Sequence, residues 1–212
     1  MRPLIIHEDG NFLALNKPVG MTVHPARTAV GRAGRGSGIK GETLADWLVK
    51  NYPEIKRVGD DPSQRPGIVH RLDKDTSGVI LAARNQRAFE ELKRLFKERK
   101  VEKTYLALVV GVPKKKSGLI AAPIGRLIRR PFKRGTGRLA VRGAREALTQ
   151  YRVLERLGGY TLLEVRPQTG RTHQIRVHLA SIGHPVAGDR VYGGAKSEMA
   201  GLERQFLHAS SL

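Results

Sequence analysis

The sequence predicts an α+β fold with a mixed, largely antiparallel central sheet and flanking helices. Three observations predict it. Short apolar runs are joined by tight turns such as Asp9-Gly10-Asn11 and Gly158-Gly159, which join neighbouring antiparallel strands. Residues 85–99 and 172–182 instead carry apolar side chains at helical spacing. Strands and helices are mixed along a chain with no internal repeat and no clear linker, so residues 1–212 read as one domain.

The elements follow in order. Residues 4–6 and 12–15 read as short strands around the first turn. In NKPVGMTVHP (16–25) two prolines and a glycine force a loop. Residues 27–41 hold five glycines and three arginines and read as a mobile basic loop. Thr43 is placed to cap a helix from Leu44, with Leu44, Trp47 and Leu48 facing inward. Residues 56–67, with Gly59, Pro62, Pro66 and Gly67, read as loop. GIVHRLDKDTSGVILAARN then gives a short strand, a polar turn and a second strand, Val79–Ala83. The helix over 85–99 faces Phe89, Leu92 and Phe96 inward. KTYLALVVG (103–111) is a strand, and QYRVLERL and YTLLEVRP form a hairpin around Gly158-Gly159. The last helix spans 172–182, with Thr172 as cap, Ile175, Leu179 and Ile182 as its buried stripe, and Gly183 as its stop.

Composition narrows the function. The formal charge is +20, from 39 Lys and Arg against 19 Asp and Glu. Such a surplus repels itself unless a polyanion relieves it, which points to nucleic acid. A basic but merely soluble protein is the plainer reading. No cysteine is present, which removes disulfides, thiolate nucleophiles and cysteine-ligated zinc together. The first residues lack the apolar stretch of a signal peptide, and no window approaches a membrane span of roughly 20 apolar residues. The expectation is a cytoplasmic monomer that binds RNA or DNA and no membrane.

Three segments could carry chemistry. His70-Arg71-Leu72-Asp73-Lys74-Asp75-Thr76-Ser77-Gly78 is the densest polar stretch and sits between two apolar strands. It is either an ordinary turn or a presented site. Arg71 and Asp73 are two apart, so in extended backbone they share a face. On a basic surface an acid stays ionised, as a nucleophile must. In Thr169-Gly170-Arg171-Thr172-His173-Gln174-Ile175-Arg176-Val177-His178, Arg176 falls at the edge of the buried helix face. There it can be a surface charge or reach a buried carboxylate. His173 and His178 are spaced poorly for a helical metal pair, so no metal site is expected. Tyr105 alternates with Ala107 and Val109 and is either core or a surface on which a base stacks. The stretch from Arg126 to Arg145 holds eight Lys and Arg and no acid. Pro131, Gly135 and Gly137 argue against one regular helix there. It is either a solvated basic loop or a hairpin that holds RNA through Arg129, Arg130, Lys133 and Arg134.

HRLDKDTSG resembles the signature of the RluA family of pseudouridine synthases. NKPVGMTVHP, KTYLALVVG, TGRTHQIRVHLASIGHPVAGDRVYG (169–193) and LHASSL (207–212) are similar to that family's other blocks, in its order and over most of the chain. The resemblance implies a mixed sheet with a central catalytic cleft, isomerisation of uridine in structured RNA, and no metal or cofactor. Ribosomal RNA is expected ahead of transfer RNA. By the same resemblance, Asp73 is the catalytic aspartate, Tyr105 packs on the target base and assists proton removal, and Arg176 pairs with the aspartate. Arg71, with its neighbour His70, helps to hold the flipped nucleotide, and Ile175 lines the base pocket. Two features depart from the family pattern. The sequence stops with LHASSL, so the closing part of the sheet is expected to be missing, shortened or replaced, and the loop at 27–41 is long. No small RNA-binding domain is expected before residue 4. The rival readings are a non-catalytic RNA-binding relative, a metal-dependent nuclease and a hydrolase built on Ser77. The nuclease would need more convergent carboxylates than Asp73 and Asp75. The hydrolase lacks a G-x-S-x-G elbow.

Overall fold

Side-chain alternation along one strand organises the first half of the chain. In the computed structural model, which describes residues 1–25, 41–130, 133–136, 141–199 and 201–212, the chain divides into two compact units, Met1–Val101 and Glu102–Leu212. The basic loop expected at 27–41 lies almost wholly outside the described residues.

The first unit holds three antiparallel strands, β1 (Leu4–Glu8), β2 (Phe12–Lys17) and β3 (Ser77–Ala83), with β2 in the middle. Leu15 pairs with Ile5 on one side and Ile80 on the other. Leu13, Leu15 and Lys17 share the buried face of β2, as the pleat requires. The β1–β2 turn is closed by Asp9, whose Oδ1 accepts from the amides of Asn11 (2.7 Å) and Phe12 (2.9 Å). Helix α1 (Leu44–Asn51) starts at Thr43, whose hydroxyl accepts from Asp46 N while the Asp46 carboxylate accepts from Thr43 N. That reciprocal cap is the one the sequence leads one to expect, and Leu44, Trp47 and Leu48 are buried. Helix α2 (Gln86–Lys97) is capped by Asn85 and ends two residues before the expected Arg99, which takes a left-handed φ of 60°. Of its apolar stripe Phe89 is buried, while Leu92 and Phe96 are half-buried. Two expectations need correction. Residues 53–57 wind into a short 3-10 turn that enters the expected loop. GIVH forms no strand and makes only one bridge, Ile68 to Ala82, because Pro66 lacks an N–H and Gly67 turns to a φ of 67°.

The second unit holds β4 (Thr104–Val110), β5 (Ser117–Ala121), β6 (Ile124–Leu127), β7 (Arg134–Thr136), β8 (Val141–Arg145), β9 (Leu148–Leu157), β10 (Tyr160–Pro167) and β11 (Leu207–Ser211). Five of them pair in the order β11-β4-β10-β9-β5, all antiparallel. Gly158 and Gly159 both take positive φ, as a two-residue turn between right-twisted strands demands. The small sheet β7-β6-β8 lies across Arg126–Arg145 and begins with a hairpin of β6 and β7. Gly125 is required there, since a Cβ would meet Arg142 O at 2.9 Å.

Helix α3 (Gln174–Ser181) covers the five-stranded sheet and buries Ile175 and Leu179 among Ala107, Val109, Leu163, Val165 and Leu207. It starts two residues later than expected. Its N-cap is His173 in left-handed backbone, not Thr172, which is exposed. Ile182 is not part of the buried stripe. The helix has already ended, Gly183 turns the chain at a φ of 85°, and Ile182 is exposed. Every residue from Gln174 to Leu179 is buried, so the polar ones need internal partners.

After α3 the chain folds back tightly at Gly188, which has a φ of 76° and no room for a Cβ beside the Arg204 carbonyl. Gly188→Ala combines backbone strain with a backbone clash and is expected to cost at least about 2 kcal/mol. Urea unfolding of the variant measures it, and a loss under about 0.5 kcal/mol would contradict that reading of the turn.

Candidate active site

In the first unit, the turn that bears Asp73 is held by a buried lysine. Lys17 is fully buried, on the core face of β2. Its Nζ donates to the carbonyls of Pro18 (2.8 Å), Met21 (2.9 Å) and Lys74 (3.0 Å). Three acceptors use the three N–H donors of an ammonium group. The Lys74 carbonyl also accepts from Gly20 N at 3.0 Å, so the NKPVG loop and the HRLDKDTSG turn are fastened at one point. The Asp73 backbone carbonyl closes the turn by accepting from Thr76 N at 3.1 Å. Leu72 is buried, whereas Arg71 is exposed and Asp73 half-buried.

The neighbours of Asp73 are braced in turn. His70 Nε2 accepts from Leu81 N at 2.9 Å, which puts the ring proton on Nδ1, and the ring stacks on Phe96 at 4.5 Å. His70 therefore ties the turn to β3 and α2. His24 is buried; its Nδ1 donates to Pro25 O at 2.8 Å, and its Nε2 faces Arg71 Nη1 at 3.4 Å.

The second unit presents Tyr105, Ile175 and Arg176. Tyr105 on β4 lies between Val165 of β10 and Ala209 of β11 and packs, half-buried, against the cluster that contains Ile175. Arg176 is buried, not at a surface edge. Its Nε and Nη2 donate to Asp189 Oδ2 (2.7 Å) and Oδ1 (2.9 Å), a two-pronged pair. Asp189 Oδ1 also accepts from the amides of Val191 (2.9 Å) and Tyr192 (3.1 Å). The Tyr192 ring covers the guanidinium at 5.1 Å. Its hydroxyl accepts from Arg134 N (3.0 Å) and lies 2.8 Å from His173 Nδ1.

The loop that leads into α3 is held by a closed network. Gln174 Oε1 accepts from Thr169 Oγ1 (2.7 Å) and Arg171 N (2.9 Å), and its Nε2 donates to Leu148 O (2.8 Å) and Thr149 Oγ1 (3.0 Å). Thr149 Oγ1 donates to His178 Nδ1 at 2.8 Å, and His178 Nε2 donates to Ala122 O at 2.9 Å. A network this complete fixes the loop geometry. Arg129 and Arg130 are exposed on the β6–β7 turn, and Lys133 Nζ donates to Val191 O at 2.8 Å.

Reading the sequence missed Lys17, His24, Gln174, Asp189 and Tyr192 as members of these sites. Two signals existed. The period of β2 places Lys17 in the core, and an arginine inside a buried helix requires a carboxylate such as Asp189. Among the described residues, no three His, Asp or Glu side chains gather as metal ligands, and no helix is long and apolar enough to cross a membrane.

Residues 11–181 match the family described as RNA pseudouridylate synthase. An uncharacterised RNA pseudouridine synthase of Chloroflexus aurantiacus is 45% identical over 93% of this chain and 56% of its own length. The ribosomal large subunit pseudouridine synthase D of Nitrosomonas europaea is 42% identical over 98% of this chain and 56% of its own. The chain thus spans little more than half the length of these relatives. Among solved structures, human RNA pseudouridylate synthase domain containing 1 superposes with a TM-score of 0.75 at 29% identity, covering 98% of this chain and 76% of that one.

Two buried histidines and a half-buried one make stability depend on pH. His24, His178 and His208 are all held below the usual histidine range, first by burial. The positive charges of Arg71 and Arg65 add to this at His24, and Arg204 does so at His208. The fold favours the neutral form of each, while in the unfolded chain each takes a proton near its ordinary value of 6.5. Their stabilisation is therefore complete above that value and is lost as pH falls through the lower folded values. The thermal midpoint is expected to fall from about pH 7 to about pH 5, and to fall less in His24→Gln. A midpoint flat across that range would contradict the buried-neutral assignment.

Proposed function

We propose, given that this chain belongs to the RNA pseudouridylate synthase family, that it isomerises uridine to pseudouridine in RNA with Asp73 as the catalytic carboxylate. The observation that carries the proposal is the way Asp73 is presented: half-buried, on a turn anchored by the buried Lys17 in the family's HRLD setting. The reaction breaks the uracil N1–C1′ bond, turns the base and joins C5 to C1′. C5 gives up a proton and N1 gains one. A carboxylate serves each available route: attack at C1′, addition at uracil C6, or proton removal at the ribose 2′ position. A stacked base is out of reach, so the target must first be flipped out, at a cost of a few kcal/mol. In this reading Tyr105 stacks on the flipped base and assists loss of the C5 proton, Arg176 pairs with Asp73, Ile175 lines the base pocket and Arg71 holds the nucleotide. His70, committed to Leu81 and Phe96, acts by positioning the turn. Arg129, Arg130, Lys133 and Arg134 contribute RNA contacts.

We assign ribosomal RNA as substrate ahead of transfer RNA, on the name of the Nitrosomonas relative. Mapping pseudouridine in ribosomal and transfer RNA, with and without the protein, tests both parts. New sites in transfer RNA alone would reverse the assignment, and no new site in either would end the proposal.

Asp73→Asn keeps the shape of the turn and loses the charge. Turnover at saturating RNA is expected to drop by at least about a hundredfold, with RNA affinity within about threefold of wild type. Activity within about tenfold of wild type would remove Asp73 from its role.

Tyr105→Phe keeps the ring and its packing against the Ile175 cluster. It is expected to bind RNA normally and to form product at least about tenfold more slowly. Full activity would leave Tyr105 only as a packing surface. Removing Arg176 is a poor test by comparison, since it strands Asp189 as a buried, unpaired charge at a cost of about 3–5 kcal/mol.

A further inference from the structure

We propose that an arginine-lined recess in the second unit, between the small sheet and the loop before α3, is a subsite for the phosphodiester backbone of bound RNA. The inference rests on the RNA-modifying function proposed above and goes beyond it in placing a polyanion site away from the residues assigned to chemistry. The recess has a volume of about 520 Å³ and is lined by Arg126, Arg134, Arg142, Arg145 and Arg171, with no carboxylate in its wall.

Strand register makes the arrangement costly without a ligand. Arg126 on β6 pairs with Arg134 on β7 and with Arg142 on β8. Directly paired residues project from the same face of a sheet, so three guanidinium stems stand in a row. Like charges set opposite each other destabilise a sheet. Among the described residues, Arg126, Arg142 and Arg145 form no ion pair with any carboxylate. Some cations elsewhere do lie against an acid, as Arg84 does with Glu54 at 2.7 Å and Lys93 with Asp60 at 2.6 Å. The second unit carries 20 Lys and Arg against 7 Asp and Glu, whereas the first carries 19 against 12, so the excess is concentrated where the recess lies.

The wall also fits one kind of anion. All five cations are arginines, whose planar fork matches the paired oxygens of a phosphate. Arg171 is pre-positioned, its Nε donating to Glu146 O at 3.0 Å. Gly143 and Gly170 have open space where a Cβ would stand, which lets a backbone approach. No aromatic ring lines the recess, so nothing there stacks on a base. The site therefore adds affinity without reading sequence.

The test is the triple variant Arg126→Gln, Arg142→Gln, Arg145→Gln, compared with Arg126→Lys, Arg142→Lys, Arg145→Lys. Affinity for a structured ribosomal RNA fragment is measured across a salt series. The Gln variant is expected to bind at least about tenfold more weakly, with a log–log salt slope shallower by up to about 2, at about 0.7 per phosphate released. Its thermal midpoint should be equal to or above wild type, because repulsion across the strands is relieved. The Lys variant should recover most of the slope. Unchanged affinity and slope in the Gln variant overturn the proposal. Inorganic phosphate is expected to displace RNA from the wild type beyond the effect of chloride at equal ionic strength, and an equal excess effect in the Gln variant also overturns the proposal. Pseudouridine formation is scored separately. Product with unchanged binding in the Gln variant removes the subsite and leaves the reaction. No product from the wild type, with salt-sensitive binding lost in the variant, removes the reaction and leaves the subsite.

Discussion

The buried ammonium group of Lys17 is the constraint on which the first unit's site depends. A charged group inside a core costs several kcal/mol unless its donors are met. Here three backbone carbonyls accept from it, and they belong to two segments far apart in sequence, Pro18 and Met21 on one side and Lys74 on the other. Satisfying the lysine therefore fixes the turn that carries Asp73. The position follows from β2, whose alternation puts Lys17 in line with Leu13 and Leu15. A hydrophobic residue there would fill the core equally well but could not hold the turn. Stability alone thus gives no reason for a lysine, and the presentation of the turn does.

The second unit solves a similar problem with a different pair. Arg176 lies in a helix buried along most of its length, so its charge must be answered locally, and Asp189 answers it through both nitrogens of the fork. Asp189 in turn accepts from two backbone amides and so fixes the segment after Gly188. Tyr192 extends the link to β7 and His173 through its hydroxyl. Beside it, the Gln174–Thr149–His178 network holds the loop at 169–173. Each of these buried polar groups is thus also a fastening between segments. Such groups are retained where geometry matters more than the stability an apolar replacement would give.

What the sequence made legible follows from the range of each signal. The α1 cap at Thr43 and the turn at Gly158-Gly159 are set by residues within four positions of each other, and both could be read directly. Strand β5 could not, and across Arg126–Arg145 a hairpin could be read only as an alternative to a loop. These strands are short, β6 to β8 are rich in Gly and Arg, and they exist because of partners such as Arg126 and Arg142 that lie well apart in the chain. β11 pairs with β4 across about a hundred residues and carries no turn signal of its own. Ile182 failed as a core residue because helical periodicity was carried one residue past the point where the chain turns. Arg176 and Lys17 share one cause. Polar residues are read as exposed by default, and the residues that satisfy these two are distant in sequence.

The distribution of unpaired charge separates what the fold needs from what it carries for a ligand. In the first unit Arg84, Lys93 and Arg94 each lie against an acid, and these exposed pairs add little stability while cancelling surface charge. The small sheet does the opposite. It sets arginines opposite one another where neutral polar residues would pair better, and the Gly125–Gly135 pair brings its strands close behind them. A three-stranded sheet this short buries little apolar surface with which to offset such repulsion. Arg126 therefore faces like charges on both sides, and on the proposal of a phosphodiester subsite phosphate oxygens offset that repulsion. Arg126 to Arg145 alone holds eight of the 39 Lys and Arg and no acid.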